Sequence, residues 1–113
     1  ENKMNVIVHI DETNKWPTVL SNLSHLYEHW QQSHDDGIIE LLVNGEAVTQ
    51  VRQDADIDLT DLYRRGIDVA VCNNSLQQRQ ILPKQVQAES RIVPSGVVEL
   101  VNKQHQGFAY IKP

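Results

Sequence analysis

Residues 4–10 read MNVIVHI, a short, β-branched and nearly continuous apolar run. A strand buried on one face alternates apolar and polar residues. A run without that alternation reads as a strand buried on both faces, as in a parallel sheet. The next segment changes period. Val19, Leu20, Leu23, Leu26, Tyr27 and Trp30 recur at helical spacing on one face, and Pro17 suits the first turn of that helix. IIELLV (38–43) is a second apolar run and a second strand.

Asn44-Gly45 then admits two readings. Asn-Gly between apolar runs signals a hairpin pairing 38–43 with 47–51. Alternatively the chain turns there into a short helix ending near Arg52, which the alternation of strands and helices elsewhere favours. Asp58 or Thr60 can cap a short helix carrying Leu59, Leu62 and Tyr63, with Gly66 as its stop. IDVAV (67–71) is the third strand, and Asn73 or Asn74 can cap a helix running through Gln80. Pro83 starts a further turn. RIVP (91–94) is a brief fourth strand, Ser95 caps a helix bearing Val97, Val98, Leu100 and Val101, and FAYI (108–111) is the fifth strand. These spacings predict one α/β domain over 1–113, three layers built on a mainly parallel sheet of about five strands with right-handed crossovers.

Composition narrows the function classes. The 113 residues are 40 % apolar and 22 % charged, close to the soluble globular norm. The net charge of −5 and the lack of a basic stripe argue against nucleic-acid binding. No apolar run could span a bilayer, and no basic stretch precedes an apolar one in the manner of a signal peptide. The single cysteine cannot form an internal disulfide and leans towards a reducing, cytoplasmic compartment. GxGxxG, GxxxxGK[ST] and GxSxG are absent, so no cofactor is expected.

Open parallel sheets keep their ligands beyond the carboxyl ends of the strands. Those ends deliver His9, Asp11 and Glu12 from the first strand and Asn44 and Gly45 from the second. The third delivers Cys72, Asn73, Asn74 and Ser75, and the fourth Pro94, Ser95 and Gly96. Cys72, just before a helix start, would meet unpaired N–H groups and the positive end of the helix dipole, both of which favour a thiolate. The competing reading is a small buried hydrophobe ending a strand. His9, Asp11 and Glu12 could supply a base or a polar rim, or simply end a strand in a solvated acidic turn. Ser95-Gly96 could offer N–H groups to an anion or be an ordinary cap. His25 and His29 are four apart and could ligate jointly, but the stripe through Leu23, Leu26 and Trp30 turns them to solvent, so no metal site is expected. Asp54, Asp56 and Asp58 lack the glycine and terminal glutamate of a calcium loop.

MNVIVHIDETNKW (4–16), VNGEAV (43–48), GIDVAVCNNSL (66–76), IVPSGVVELVNKQ (92–104) and GFAYIKP (107–113), in this order, resemble the DsrE/DsrF-like family in its short single-domain branch. The resemblance implies a layered α/β fold on a five-stranded, mainly parallel sheet, and it resolves Asn44-Gly45 in favour of strand then helix. It implies homo-oligomers, trimers or hexamers. Studied relatives are sulfur carriers, acting in sulfur oxidation or in sulfur relay to transfer RNA. In them a cysteine accepts sulfur as a persulfide from a donor protein and passes it to an acceptor. Cys72 fits that role. The Asn73, Asn74 and Ser75 backbone N–H groups would stabilise its anion, and His9, Asn44, Ser95 and Gly96 would line the pocket. A non-catalytic binding or assembly module and a cysteine redox sensor stand as alternatives.

Overall fold

A computed structural model describes residues 3–113. Five strands form one sheet: β1 (Val6–Ile10), β2 (Ile39–Val43), β3 (Asp68–Cys72), β4 (Arg91–Val93) and β5 (Ala109–Ile111). Their order is β4-β3-β2-β1-β5 and every pairing is parallel, with Val8 opposite Leu41, Leu41 opposite Val69 and Cys72 opposite Val93. All residues of β1 and β2 are buried. That is the two-faced burial expected of their unalternating sequences.

The helices are α1 (Trp16–Gln32), α2 (Thr60–Arg64), α3 (Asn73–Gln78) and α4 (Gly96–His105). Helix α1 sends Trp16, Val19, Leu23 and Trp30 into the larger core, where Leu62 of α2 and Leu76 of α3 join Val8, Leu41, Val43, Val69 and Val71 of the sheet. The opposite face is covered differently. There Ile7, Leu42, Ala70, Val93 and Phe108 pack against Leu100, so α4 alone covers it among the described helices. Right-handed crossovers account for this split. From β1 to β4 the chain steps outward in one direction and keeps its helices on one face. From β4 it must return past three strands to β5, which puts α4 on the other face.

At Asn44-Gly45 the chain makes no hairpin. Gly45 takes φ +59°, a conformation glycine adopts without a Cβ penalty. The backbone then runs into a 3-10 helix, Gly45–Val51, that buries Ala47, Val48 and Val51. Among the described residues no helix is long and apolar enough to cross a membrane.

Candidate functional site

At the carboxyl edge of the sheet, neighbouring strands β3 and β4 feed helices on opposite faces. Helix α3 joins the larger core and α4 the smaller one. Such a reversal marks the usual ligand position in open α/β sheets. Cys72 ends β3 at that position, and its residue surface is only 4 % exposed.

The cysteine is itself the cap of α3. Asn73 and Asn74 are not, which corrects the expectation from sequence. Cys72 keeps extended backbone angles (φ −72°, ψ 116°), and its Sγ accepts a hydrogen bond from Ser75 N–H at 3.4 Å. A second N–H arrives from the other face, where Gly96, the first residue of α4, donates to Sγ at 3.2 Å. The sulfur therefore sits against the N-terminal turns of two helices, where donors are unpaired and the potential is positive. Ser75 adds its hydroxyl. Its Oγ accepts from Gly45 N–H at 2.8 Å, which leaves the hydroxyl proton for the sulfur. Burial pushes the Cys72 thiol up, but the Ser75 hydroxyl and the Ser75, Gly96 and Asn74 N–H groups together outweigh it and hold the thiol below its ordinary value. Asn74 contributes least, because its N–H also donates to the Pro94 carbonyl at 3.3 Å. Asn73 gives the sulfur no hydrogen bond.

Any side chain at 96 would be crowded. A Cβ there would lie 3.1 Å from Cys72 Cβ, 3.2 Å from Asn44 Cβ and 3.3 Å from Leu42 Cδ1. The bare backbone lets α4 approach closely enough to reach the sulfur. Ser95 precedes it in extended conformation and half-buried, and its hydroxyl makes no cap.

His9, buried on β1, reaches Asn44 but not the sulfur. Its Nε2 lies 2.7 Å from Asn44 Oδ1 and its Nδ1 2.7 Å from the Tyr110 hydroxyl. An amide oxygen only accepts, so Nε2 carries the hydrogen of the bond to Asn44. The histidine thus orients Asn44 beside Gly96 and is not placed as a base for Cys72. Asp11 turns to Lys112, whose Nζ is 3.2 Å from Oδ1, while Glu12 is exposed. His25 and His29 are both exposed on α1. Among the described residues no three His, Cys, Asp or Glu side chains are grouped to hold a metal ion.

Sequence reasoning missed two groups. Tyr110 carries no signal beyond its place in a terminal strand. Glu40 did carry one, as the lone acid inside an apolar run. It is fully buried on the α4 side of the sheet, with Arg91 Nη2 3.4 Å from Oε2 and Lys103 Nζ 3.7 Å from Oε1. Arg91 also binds Asp68 at 2.8 Å and Glu99 at 2.9 Å.

The family model for the DsrE/DsrF-like family matches residues 33–113, well over half of the chain. The chain belongs to the DsrE/DsrF-like family. Its fold is similar to that of MTH1491 from Methanobacterium thermoautotrophicum, a protein of unknown function. That match has a TM-score of 0.89 and 25 % identity, and covers 98 % of this chain and 100 % of that one. It is also similar to the ychN protein from E. coli, with a TM-score of 0.73 and 17 % identity over 97 % and 99 % of the two chains. No curated protein matches by sequence. The five-stranded sheet expected from the sequence is the family's, and here it is parallel throughout.

Proposed function

We propose that this DsrE/DsrF-like protein is a cytoplasmic sulfur carrier that works through Cys72. The observation that supports the reading most directly is the convergence of the Ser75 and Gly96 N–H groups on Sγ from two helix starts. Those donors favour the thiolate, which is the form that attacks sulfur. In the loading step the Cys72 thiolate attacks the terminal sulfur of a donor persulfide, R–S–SH. The new Sγ–S bond forms, the R–S bond breaks, and the donor leaves as a thiolate. The proton stays on the transferred sulfur. Unloading repeats the exchange with an acceptor thiolate and returns Cys72 to its starting form, so neither step needs an external oxidant or reductant. Donor and acceptor are partner proteins, since the chain holds no second cysteine. The carrier works as a homo-oligomer, a trimer or hexamer, and exposed Val97, Val98 and Val101 on α4 offer apolar surface for assembly.

Incubation with a small-molecule persulfide donor, followed by intact mass measurement, tests the reading. One added sulfur on the native protein and none on Cys72→Ser is expected, and a native protein that gains none overturns it.

The 4 % exposure of Cys72 favours a second reading, a binding or assembly module in which the sulfur only packs. On that reading Cys72→Ala keeps the oligomer and the native protein takes up no sulfur.

A further inference from the structure

Helix α4 is seated by four residues on one of its faces: Gly96, Glu99, Leu100 and Lys103. Gly96 packs on Cys72 and Asn44, and Leu100 on the smaller core. Glu99 and Lys103 stand over Glu40. The charged groups facing Glu40 are Asp68 from β3, Arg91 from β4, and Glu99 and Lys103 from α4. On its other side β1 presents Ile7, which has no charge. Three carboxyl groups thus meet two cations, and of the five side chains Glu40 alone is wholly out of solvent.

Protonation of one carboxyl makes the set neutral, and Glu40 is the member with no exposure at all. As a carboxylate, its Oε1 has no hydrogen-bond donor. Arg91 Nη2 lies 3.4 Å from Glu40 Oε2 and 2.9 Å from Glu99 Oε2, so the two carboxyl groups meet at one nitrogen, where a proton on Glu40 can bridge them. Burial, then the hydrogen bond with Glu99, raises Glu40 to about 8. Burial works to raise Glu99 too, but its hydrogen bonds from Glu40 and Arg91 bring it below its ordinary value.

We propose that the Glu40–Glu99 pair is a proton-operated seat for α4, and that Glu40 is a positioning residue whose ionisation releases Gly96 from the Cys72 sulfur. With the proton in place, α4 is drawn down at Glu99, and its first turn both covers the sulfur and donates to it. When the proton leaves, Glu40 and Glu99 become adjacent like charges with Asp68 beside them, and the hydrogen bond between them is gone. The first turn of α4 lifts, and the thiolate loses a donor and gains access to solvent. Glu40 lies four residues in register from the level of Cys72, about 13 Å along the strands, so it acts through the helix and not by contact. The device takes its purpose from the sulfur-carrier reading, but its test does not depend on sulfur uptake.

The Gly96 amide resonance reports the seat directly. In Cys72→Ser, where no thiol titrates, its shift should move through one transition centred near pH 8. In Cys72→Ser with Glu40→Gln, whose amide keeps a donor for Glu99 at every pH, the transition should vanish. A Gly96 signal that stays flat in Cys72→Ser, or a transition that survives Glu40→Gln, overturns the proposal. Should the Gln variant fail to fold, carbon-13 glutamate labelling of Cys72→Ser gives the Glu40 midpoint. A midpoint differing from that of Gly96 is equally fatal. A protein that shows the coupled transition but takes up no persulfide would sink the carrier reading and leave the seat standing.

Discussion

Gly96→Ala perturbs the site with a single methyl group. The added Cβ would meet Cys72 Cβ at 3.1 Å, Asn44 Cβ at 3.2 Å and Leu42 Cδ1 at 3.3 Å. Carbon pairs prefer about 3.5–4.0 Å, so each contact is short by a few tenths of an ångström. Two of the three atoms are Cβ carbons fixed by strand-end backbone, and no rotamer change relieves them. Overpacking of this kind costs about 1–3 kcal/mol. Alanine recovers at most about 1 kcal/mol over glycine in a helix, and less at a first helical residue. The expected net loss is about 1–2 kcal/mol. Relief must come from moving α4, which lengthens the 3.2 Å Gly96 N–H to sulfur contact. A hydrogen bond to a charged group is worth about 1.5–3 kcal/mol, and 1.36 kcal/mol is one pKa unit, so the thiol should rise by about one to two units. Denaturant unfolding reads the first quantity and the pH dependence of thiolate absorbance the second. Asn102→Gln, exposed on the same helix, is the control and should change neither. A Gly96→Ala protein with native stability and native thiol acidity would refute both the packing and the electrostatic account.

Three further outcomes follow from the same geometry. Glu40 holds a proton in the folded protein that the unfolded chain releases between its ordinary value of 4.5 and about 8. Stability therefore falls as pH rises through that window, by up to about 5 kcal/mol in all. Glu40→Gln should match the native protein near the bottom of the window and exceed it above pH 8 in urea melts. Ser75→Ala removes the hydroxyl from the sulfur and leaves Gly45 N–H without its acceptor. It should cost about 1–3 kcal/mol and slow alkylation of Cys72 at neutral pH. Tyr110→Phe deletes one hydrogen bond to His9, so a loss of about 1 kcal/mol with an unchanged thiol titration is expected. A shifted titration there would mean that His9 acts on the sulfur after all.

The fold was legible because its strands are short, apolar and buried on both faces. MNVIVHI reads as an interior parallel strand, IIELLV reads as one once the hairpin at Asn44-Gly45 is set aside, and the apolar stripe of α1 lies where its spacing put it. The edge bearing His9, Asn44, Cys72, Ser75 and Gly96 followed from the alternation of elements alone. What the sequence concealed was partnership between distant segments. No local pattern says that Gly96, rather than Asn73, donates to Cys72, because that contact exists only once α4 lies against the far face of the sheet. A cysteine is also a rare cap, so the neighbouring asparagines drew the expectation away from it. Glu40 was visible as an anomaly in its strand, but its partners Asp68, Arg91, Glu99 and Lys103 sit on three other elements.

The donor from Gly96 reaches a sulfur 24 residues earlier in the chain. During synthesis β1, β2, β3 and α3 can form before residue 96 has left the ribosome. At that stage Cys72 lacks its partner on the second face. Part of the thiol's acidity is therefore acquired only when α4 docks. Any later opening confined to 91–111 would take the Gly96 donor from the sulfur and leave the Ser75 donors, while most of the larger core stays packed. Gly96 hydrogen exchange and Cys72 acidity should then report a single subglobal opening event. The fold would thereby tie part of the sulfur's acidity to the docking of a helix from the opposite face of the sheet.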